Sequence, residues 1–169
     1  MDNAESATTE PQKKAREFFL RDDNMFGCAE STYITLKTLY GLPNPTHSAA
    51  AMALNGGIAY SGSTCGAITG AAMAVGELAE SRLNNHKTAK TVARRIIMRI
   101  LAAFRDKYGS EKCIDLIELD ISKQEDHDAF IERGVWKTTC MGQIEYVVGE
   151  LHRLADEDVW NEWVASVMQ

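Results

Sequence analysis

No hydrophobic run reaches the ~20 residues that cross a bilayer; the most apolar stretches, Ala49–Ala59 and Ala67–Ala79, are broken by glycine and polar residues. A membrane is therefore not expected as a partner. Positive charge is also short: 18 Lys and Arg stand against 24 Asp and Glu, a formal net charge of −6 with His neutral. Phosphate binding wants a basic surface, so no nucleic acid partner is expected, nor adsorption to anionic lipid. Strand signals are missing as well. No alternating Val/Ile/Thr run faces another across a hairpin turn, and Asn55-Gly56 lies between Ala-rich segments. The four cysteines include no CxxC pair, which removes the zinc-ribbon and thioredoxin patterns, and no CxxCH, which removes covalent c-type haem. Walker A and Rossmann fingerprints are absent too. Met1–Glu10 has neither a basic n-region nor an apolar run, so no secretory signal is expected there. The expected location is the cytoplasm, where thiols stay reduced or bind metal.

What remains is a chain of 169 residues, 45% hydrophobic and 25% charged, with helical periodicity through most of its length. That suits one all-α domain over residues 11–169, a compact bundle of about five to seven helices, after a polar tail over residues 1–10. Pro11 fits a helix start, and Ala15, Phe18 and Phe19 recur at helical spacing. Cys28–Tyr40 reads as an amphipathic helix closed by Gly41 and Pro43. A further helix is expected through Ala49–Leu54, capped by Thr46, and another from Cys65 to Arg82. Lys87–Tyr108 is the longest periodic segment, with Val92, Ile96, Ile100 and Phe104 on its apolar face and Gly109 at its end. Asp120–Gly134 is polar and irregular; Thr138–Leu154 and Asp158–Met168 are helical again.

The cysteines are Cys28, Cys65, Cys113 and Cys140. Each falls near a predicted helix end. At a helix N-terminus the free N–H groups and the macrodipole favour a thiolate, so lowered thiol pKa values are expected at Cys28 and Cys65. Four such thiols could meet at one point of a bundle and hold an anionic cluster or form a redox pair. Cysteine is also an ordinary core residue, and that reading stands beside the functional one.

Gly62, Gly66 and Gly70 recur every four residues and, with Ala67, Ala71 and Ala74, leave the Cys65 helix almost without side chains on one face. A helical glycine costs ~0.8–1.0 kcal/mol against alanine, so a compensation is expected. Two fit. The face packs closely on another helix, within the chain or across a homodimer interface. Alternatively a cofactor lies against the bare backbone of Gly62, Gly66, Ala67 and Gly70.

Taken together, Cys28-Ala29, then Gly56-Gly57, then Cys65-Gly66-Ala67-Ile68-Thr69-Gly70, then Phe104 to Cys113, then Cys140 resemble the redox-active proteins named for the pattern C_GCAxxG_C_C. The resemblance runs from Phe18 to Leu154. That family is similar to the non-haem part of the split-Soret cytochromes. The resemblance implies that Cys28, Cys65, Cys113 and Cys140 act together, as ligands of an iron–sulfur cluster or as a redox thiol set, and it implies a redox partner protein. The chain departs from the pattern where Ile58, Ala59, Tyr60 and Ser61 dilute the glycine run, and where Asp120, Glu125, Asp126 and Asp128 make the Cys113–Cys140 segment long and acidic.

Three functions follow: electron transfer through an iron–sulfur cluster, metal-free thiol–disulfide chemistry as an oxidoreductase or redox sensor, or a structural zinc site in a helical interaction module. His47, His86, His127 and His152 read as surface or capping residues, with His47 a candidate to approach Cys65 and His127 a candidate for a weak metal site. Trp136, Trp160 and Trp163 read as packing residues, and Arg94, Arg95 and Arg99 as the wet face of the long helix.

Overall fold

A computed structural model describes residues 8–169, and eight α-helices carry the fold. They are α1 (Glu10–Phe19), α2 (Cys28–Leu39), α3 (Gly66–Arg82), α4 (His86–Tyr108), α5 (Cys113–Ile117), α6 (Gln124–Glu132), α7 (Met141–Leu151) and α8 (Glu157–Met168). A 3-10 turn lies at Ala49–Leu54, a π turn at Trp136–Cys140 and a second 3-10 turn at His152–Ala155. Seven of the α-helices are longer than α5, whose five residues make little more than one turn. The all-α expectation therefore holds among the described residues. No helix there is long and apolar enough to cross a membrane. Most of the expected tail falls outside the described residues; α1 starts at Glu10, where the backbone N–H of Thr9 donates to Gln12 Oε1 at 2.9 Å.

At the centre is α2, packed against α3 on one side and α1 and α7 on others; α4 backs α3, and α8 closes α4. Sequence periodicity predicts an amphipathic α2, yet every residue from Ala29 to Lys37 is buried. Its three threonines turn onto their own helix. Thr32 Oγ1 donates to Cys28 O at 2.9 Å, Thr35 Oγ1 to Ser31 O at 2.6 Å and Thr38 Oγ1 to Ile34 O at 2.7 Å. This satisfaction of hydroxyls by carbonyls one turn back lets a Thr-rich helix sit in a core. Buried Lys37 lies 3.6 Å from Glu77 on α3, and Tyr33 donates to the same carboxylate. By contrast α4 shows the expected face, with Val92, Ile96, Ile100 and Phe104 all buried, and it ends at Gly109 in the left-handed conformation. Arg95 and Arg99 depart from the wet-face reading. Arg95 donates to the carbonyl of Val167, and Arg99 stacks over Trp163 at 5.0 Å, so both hold α8.

The segment between the first 3-10 turn and α3 is unusual. Five consecutive residues, Gly56, Gly57, Ile58, Ala59 and Tyr60, have positive φ values of 63°, 71°, 68°, 49° and 61°. An L-residue in the left-handed helical region costs roughly 1–2 kcal/mol, so Ile58, Ala59 and Tyr60 are strained. Ala59 is exposed and packs little. Replacing it with glycine relieves the strain but gives the unfolded chain about 0.4–1 kcal/mol of extra entropy. The net expectation for Ala59→Gly is a gain of about 0.5–1 kcal/mol, read as a higher urea midpoint at unchanged slope.

Beyond this turn the chain forms an isolated antiparallel bridge, Thr64 to Lys112. Around it Cys65 N–H donates to Glu111 O at 2.7 Å, Cys113 N–H to Ser63 O at 2.6 Å and Ile114 N–H to Gly62 O at 3.1 Å. These bonds pin the start of α3 to the start of α5.

Candidate functional site

Each cysteine is placed by a different local device. Cys28 is the first residue of α2, after Gly27, whose N–H donates to Glu30 Oε2 at 3.0 Å. Cys65 is the N-cap of α3. Cys113 opens α5, held beside Cys65 by the bridge. Cys140 ends the π turn that leads into α7. A π turn inserts an extra residue into a helix and re-aims the side chains next to it, and such turns recur at functional sites. All four thiols are free, and Cys65, Cys113 and Cys140 are buried.

The four sulfurs share one neighbourhood. Cys65 feels the charge of Cys28 and Cys113; Cys113 feels Cys28; Cys140 feels Cys28, Cys65 and Cys113. Every pair therefore interacts. Cys28, Cys113 and Cys140 line a cavity of about 340 Å³. Cys65 sits behind it, its thiol donating to Gln143 Oε1 at 3.4 Å.

The low thiol pKa values expected from helix ends are not found. Burial is the largest influence at all four sites and pushes every thiol up, Cys113 to about 12. At Cys65, Cys113 and Cys140 the neighbouring sulfurs push in the same direction. Backbone N–H groups do point at the sulfurs: those of Gly56, Ala29 and Gly66 favour the Cys28 thiolate, and those of Ala67 and Ile68 the Cys65 thiolate. Their contribution is smaller than desolvation. Alone, the four groups are neutral thiols. They ionise together only if positive charge arrives among them.

The glycine positions divide by role. Gly66 abuts the Cys28 sulfur so closely that a β-carbon there would overlap it, and one at Gly57 would sit 2.8 Å from Cys113 Cβ. Gly62 lies against Ile114, and Ala67 is fully buried with its N–H toward Cys65. At Gly70 a β-carbon would run into the Ala29 carbonyl, so this glycine serves the packing of α3 on α2.

Sequence reading missed two polar residues at the cavity. Glu30 is 6% exposed and lines it, accepting from Ser48 Oγ at 2.8 Å, Asn55 Nδ2 at 2.9 Å and Gly27 N–H. Asn55 Oδ1 in turn accepts from Ala29 N–H at 2.9 Å. The available signal was the Gly27-x-x-Glu30 spacing of a helix N-terminus, which explains the carboxylate without demanding its burial. His127 lines the cavity with its ring 5.8 Å from that of Tyr60, and Trp136 lines it edge-on to Phe19. His47 is exposed and does not line it. His86 pairs with Glu80 at 2.9 Å, and His152 sits on its own helix, 2.8 Å from Gly149 O.

Chemically, the cavity offers thiols, one buried carboxylate and one imidazole, with no Lys or Arg in its lining. Among the described residues no three His, Cys, Asp or Glu side chains converge closely enough to hold one metal ion. The donors are spread around a space instead of gathered on a point. A single tetrahedral zinc needs sulfurs ~2.3 Å from one centre; a polynuclear group takes its ligands from a wider ring.

One family model matches the chain, over residues 26–154, and its description is "putative redox-active protein (C_GCAxxG_C_C)". No curated protein and no solved structure matches.

Proposed function

With residues 26–154 of 169 matched, the chain belongs to that redox-active C_GCAxxG_C_C family, and from this premise we propose that it is an electron-transfer protein whose four cysteines hold an iron–sulfur cluster. The observation that carries the reading is the mutual approach of Cys28, Cys65, Cys113 and Cys140, every one held neutral by burial, beside a cavity with no Lys or Arg among its described lining residues. A site that concentrates latent anions away from Lys and Arg is built to receive a cation. Bound there, a cluster would supply reversible one-electron chemistry. The chain's own groups would do the rest. The N–H groups of Gly56, Ala29, Gly66, Ala67 and Ile68 stabilise sulfur charge and so raise a reduction potential. Gln143 orients the Cys65 sulfur. The core around α2, α3 and α7 keeps water away from it. A redox partner protein would take or give the electron at the open side of the cavity.

Protein prepared without oxygen tests this by iron, zinc and acid-labile sulfide content with a visible spectrum. Iron with sulfide is expected, and a Cys65→Ser variant should lose about tenfold or more of the iron, as ligand loss does. Zinc alone would replace the reading with a structural site. No metal, with reversible formation of a disulfide among the four thiols, would replace it with thiol–disulfide chemistry.

A further inference from the structure

The cavity extends well beyond the sulfurs. At about 340 Å³ it is larger than a ligand set needs; an apolar cavity of ~150 Å³ already takes up benzene, and small-molecule sites begin near ~300 Å³. Much of the rest of the lining is aromatic: Phe19, Phe26, Phe130 and Trp136, with Tyr60 and His127. Two edge-to-face pairs are among them, Phe19–Trp136 at 5.8 Å and 85°, and Tyr60–His127 at 5.8 Å and 61°.

A second observation concerns α6. It contributes His127, Phe130 and Ile131 to the cavity, yet none of its residues is buried. Ile131 stays 50% exposed, and Met25 and Tyr60, also on the cavity, are 57% and 48% exposed. A helix stays folded in a protein chiefly by burying an apolar side. Here Phe130 packs only partly on the core and lines the space together with Ile131, so what fills the space completes the packing of α6.

The electrostatics select the occupant. Glu30, the acidic side chain of the described lining, accepts three hydrogen bonds and has no Lys or Arg beside it among the described lining residues. An anion ~6 Å from a carboxylate is repelled by about 3 kcal/mol at an effective dielectric of ~20, roughly a hundredfold in affinity. Phosphorylated cofactors and carboxylic acids are thereby disfavoured. Flat aromatic walls favour a flat ring.

We propose that this aromatic-lined cavity binds an uncharged, planar aromatic molecule of about one or two fused rings, and that α6 closes over it. This goes beyond the redox reading, and the binding does not rest on it.

The test is calorimetric titration of the full chain, kept anaerobic, with 2-naphthol and separately with 2-naphthoate. Binding of 2-naphthol at least ~10-fold tighter than 2-naphthoate is expected from the charge argument, with slowed amide exchange in α6 on binding. Phe130→Ala and Trp136→Ala, each compared as folded protein because both side chains also pack partly on the core, should each weaken 2-naphthol at least ~10-fold. Equal or tighter binding of 2-naphthoate, no binding of 2-naphthol, or indifference to both substitutions in folded variants would overturn the site. Iron is measured on the same samples. Naphthol binding without iron leaves this site standing and removes the cluster; iron without naphthol binding does the reverse.

Discussion

Above pH 9 the reduced, metal-free protein is expected to lose stability steeply, by about 1.4 kcal/mol per pH unit for every thiol the fold keeps protonated. The direction follows from where the pKa values move. Each thiol is raised above its unfolded value of 9.0. The unfolded chain therefore releases protons first as pH climbs. The stabilisation is complete below about pH 9 and is lost as pH rises toward the folded value. For Cys113, which moves from 9.0 to about 12, the loss reaches about 4 kcal/mol by pH 12. Cys65, Cys113 and Cys140 together give a slope of roughly 4 kcal/mol per unit, and Cys28, raised in the same direction, adds to it, against a typical domain stability of ~5–15 kcal/mol. Unfolding without denaturant is then expected near pH ~10–11. Tyr33 and Tyr108, pushed up to about 12 from 10.0, add to the slope only above pH 10, so the interval from 9 to 10 isolates the thiols. Urea melts at half-unit steps under reducing conditions would measure it. Each Cys→Ala variant should remove about one proton from the slope. A cluster-loaded protein should lack the slope, because its sulfurs are already ionised. A flat profile between pH 8 and 10 in the metal-free protein would contradict the burial of the four thiols.

The same four residues mark what was legible in the sequence and what was not. Helix ends were readable where one residue type has a mechanism. Gly109, read as the close of the longest periodic segment, ends α4 at φ 80°. The apolar face of α4 was readable from periodicity alone. Thiol chemistry was not, because the helix-end rule treats a terminus as solvated. Here three of the four sulfurs are buried and the fourth is half-buried, and desolvation outweighs the N–H groups aimed at them. Periodicity likewise mistook α2, since a helix surrounded by α1, α3 and α7 has no wet face to display. The bridge that seats Cys65 beside Cys113 rests on backbone bonds between residues 62–65 and 111–114, and backbone bonds leave no pattern in side-chain identity. In α6 the signal was too thin. Two apolar residues, Phe130 and Ile131, in a run of acids read as an irregular segment, because the partner they face is a cavity and not another helix.

Gly70→Ala is expected to destabilise the protein by about 1–2 kcal/mol net, although the substitution replaces a poor helix former with the best one. Two effects oppose each other. Helix propensity favours alanine by ~0.8–1.0 kcal/mol. Against it, a β-carbon at Gly70 would overlap the carbonyl oxygen of Ala29 and approach that residue's carbonyl carbon at 3.0 Å and Cα at 3.1 Å. All three are backbone atoms of α2, fixed by helical hydrogen bonds, so no rotamer change can clear the space. The helices must separate, and Ala67, Ala71, Ala74 and Ala29, all completely buried, then lose contact together. Overpacking of this kind costs ~1–3 kcal/mol, and more where rigid backbone must move. Gly76 on the same helix supplies the control. A β-carbon there meets nothing within 4 Å, so Gly76→Ala should stabilise by about 1 kcal/mol. Opposite signs from two identical substitutions six residues apart would establish that the spacing of α2 and α3 is set at Gly70. The consequence reaches the site. Cys28 opens α2, Cys65 caps α3, and Gly66 already touches the Cys28 sulfur. Any widening of that helix pair moves two of the four thiols apart, so Gly70→Ala should also reduce the iron retained by anaerobically prepared protein, and Gly76→Ala should leave it unchanged.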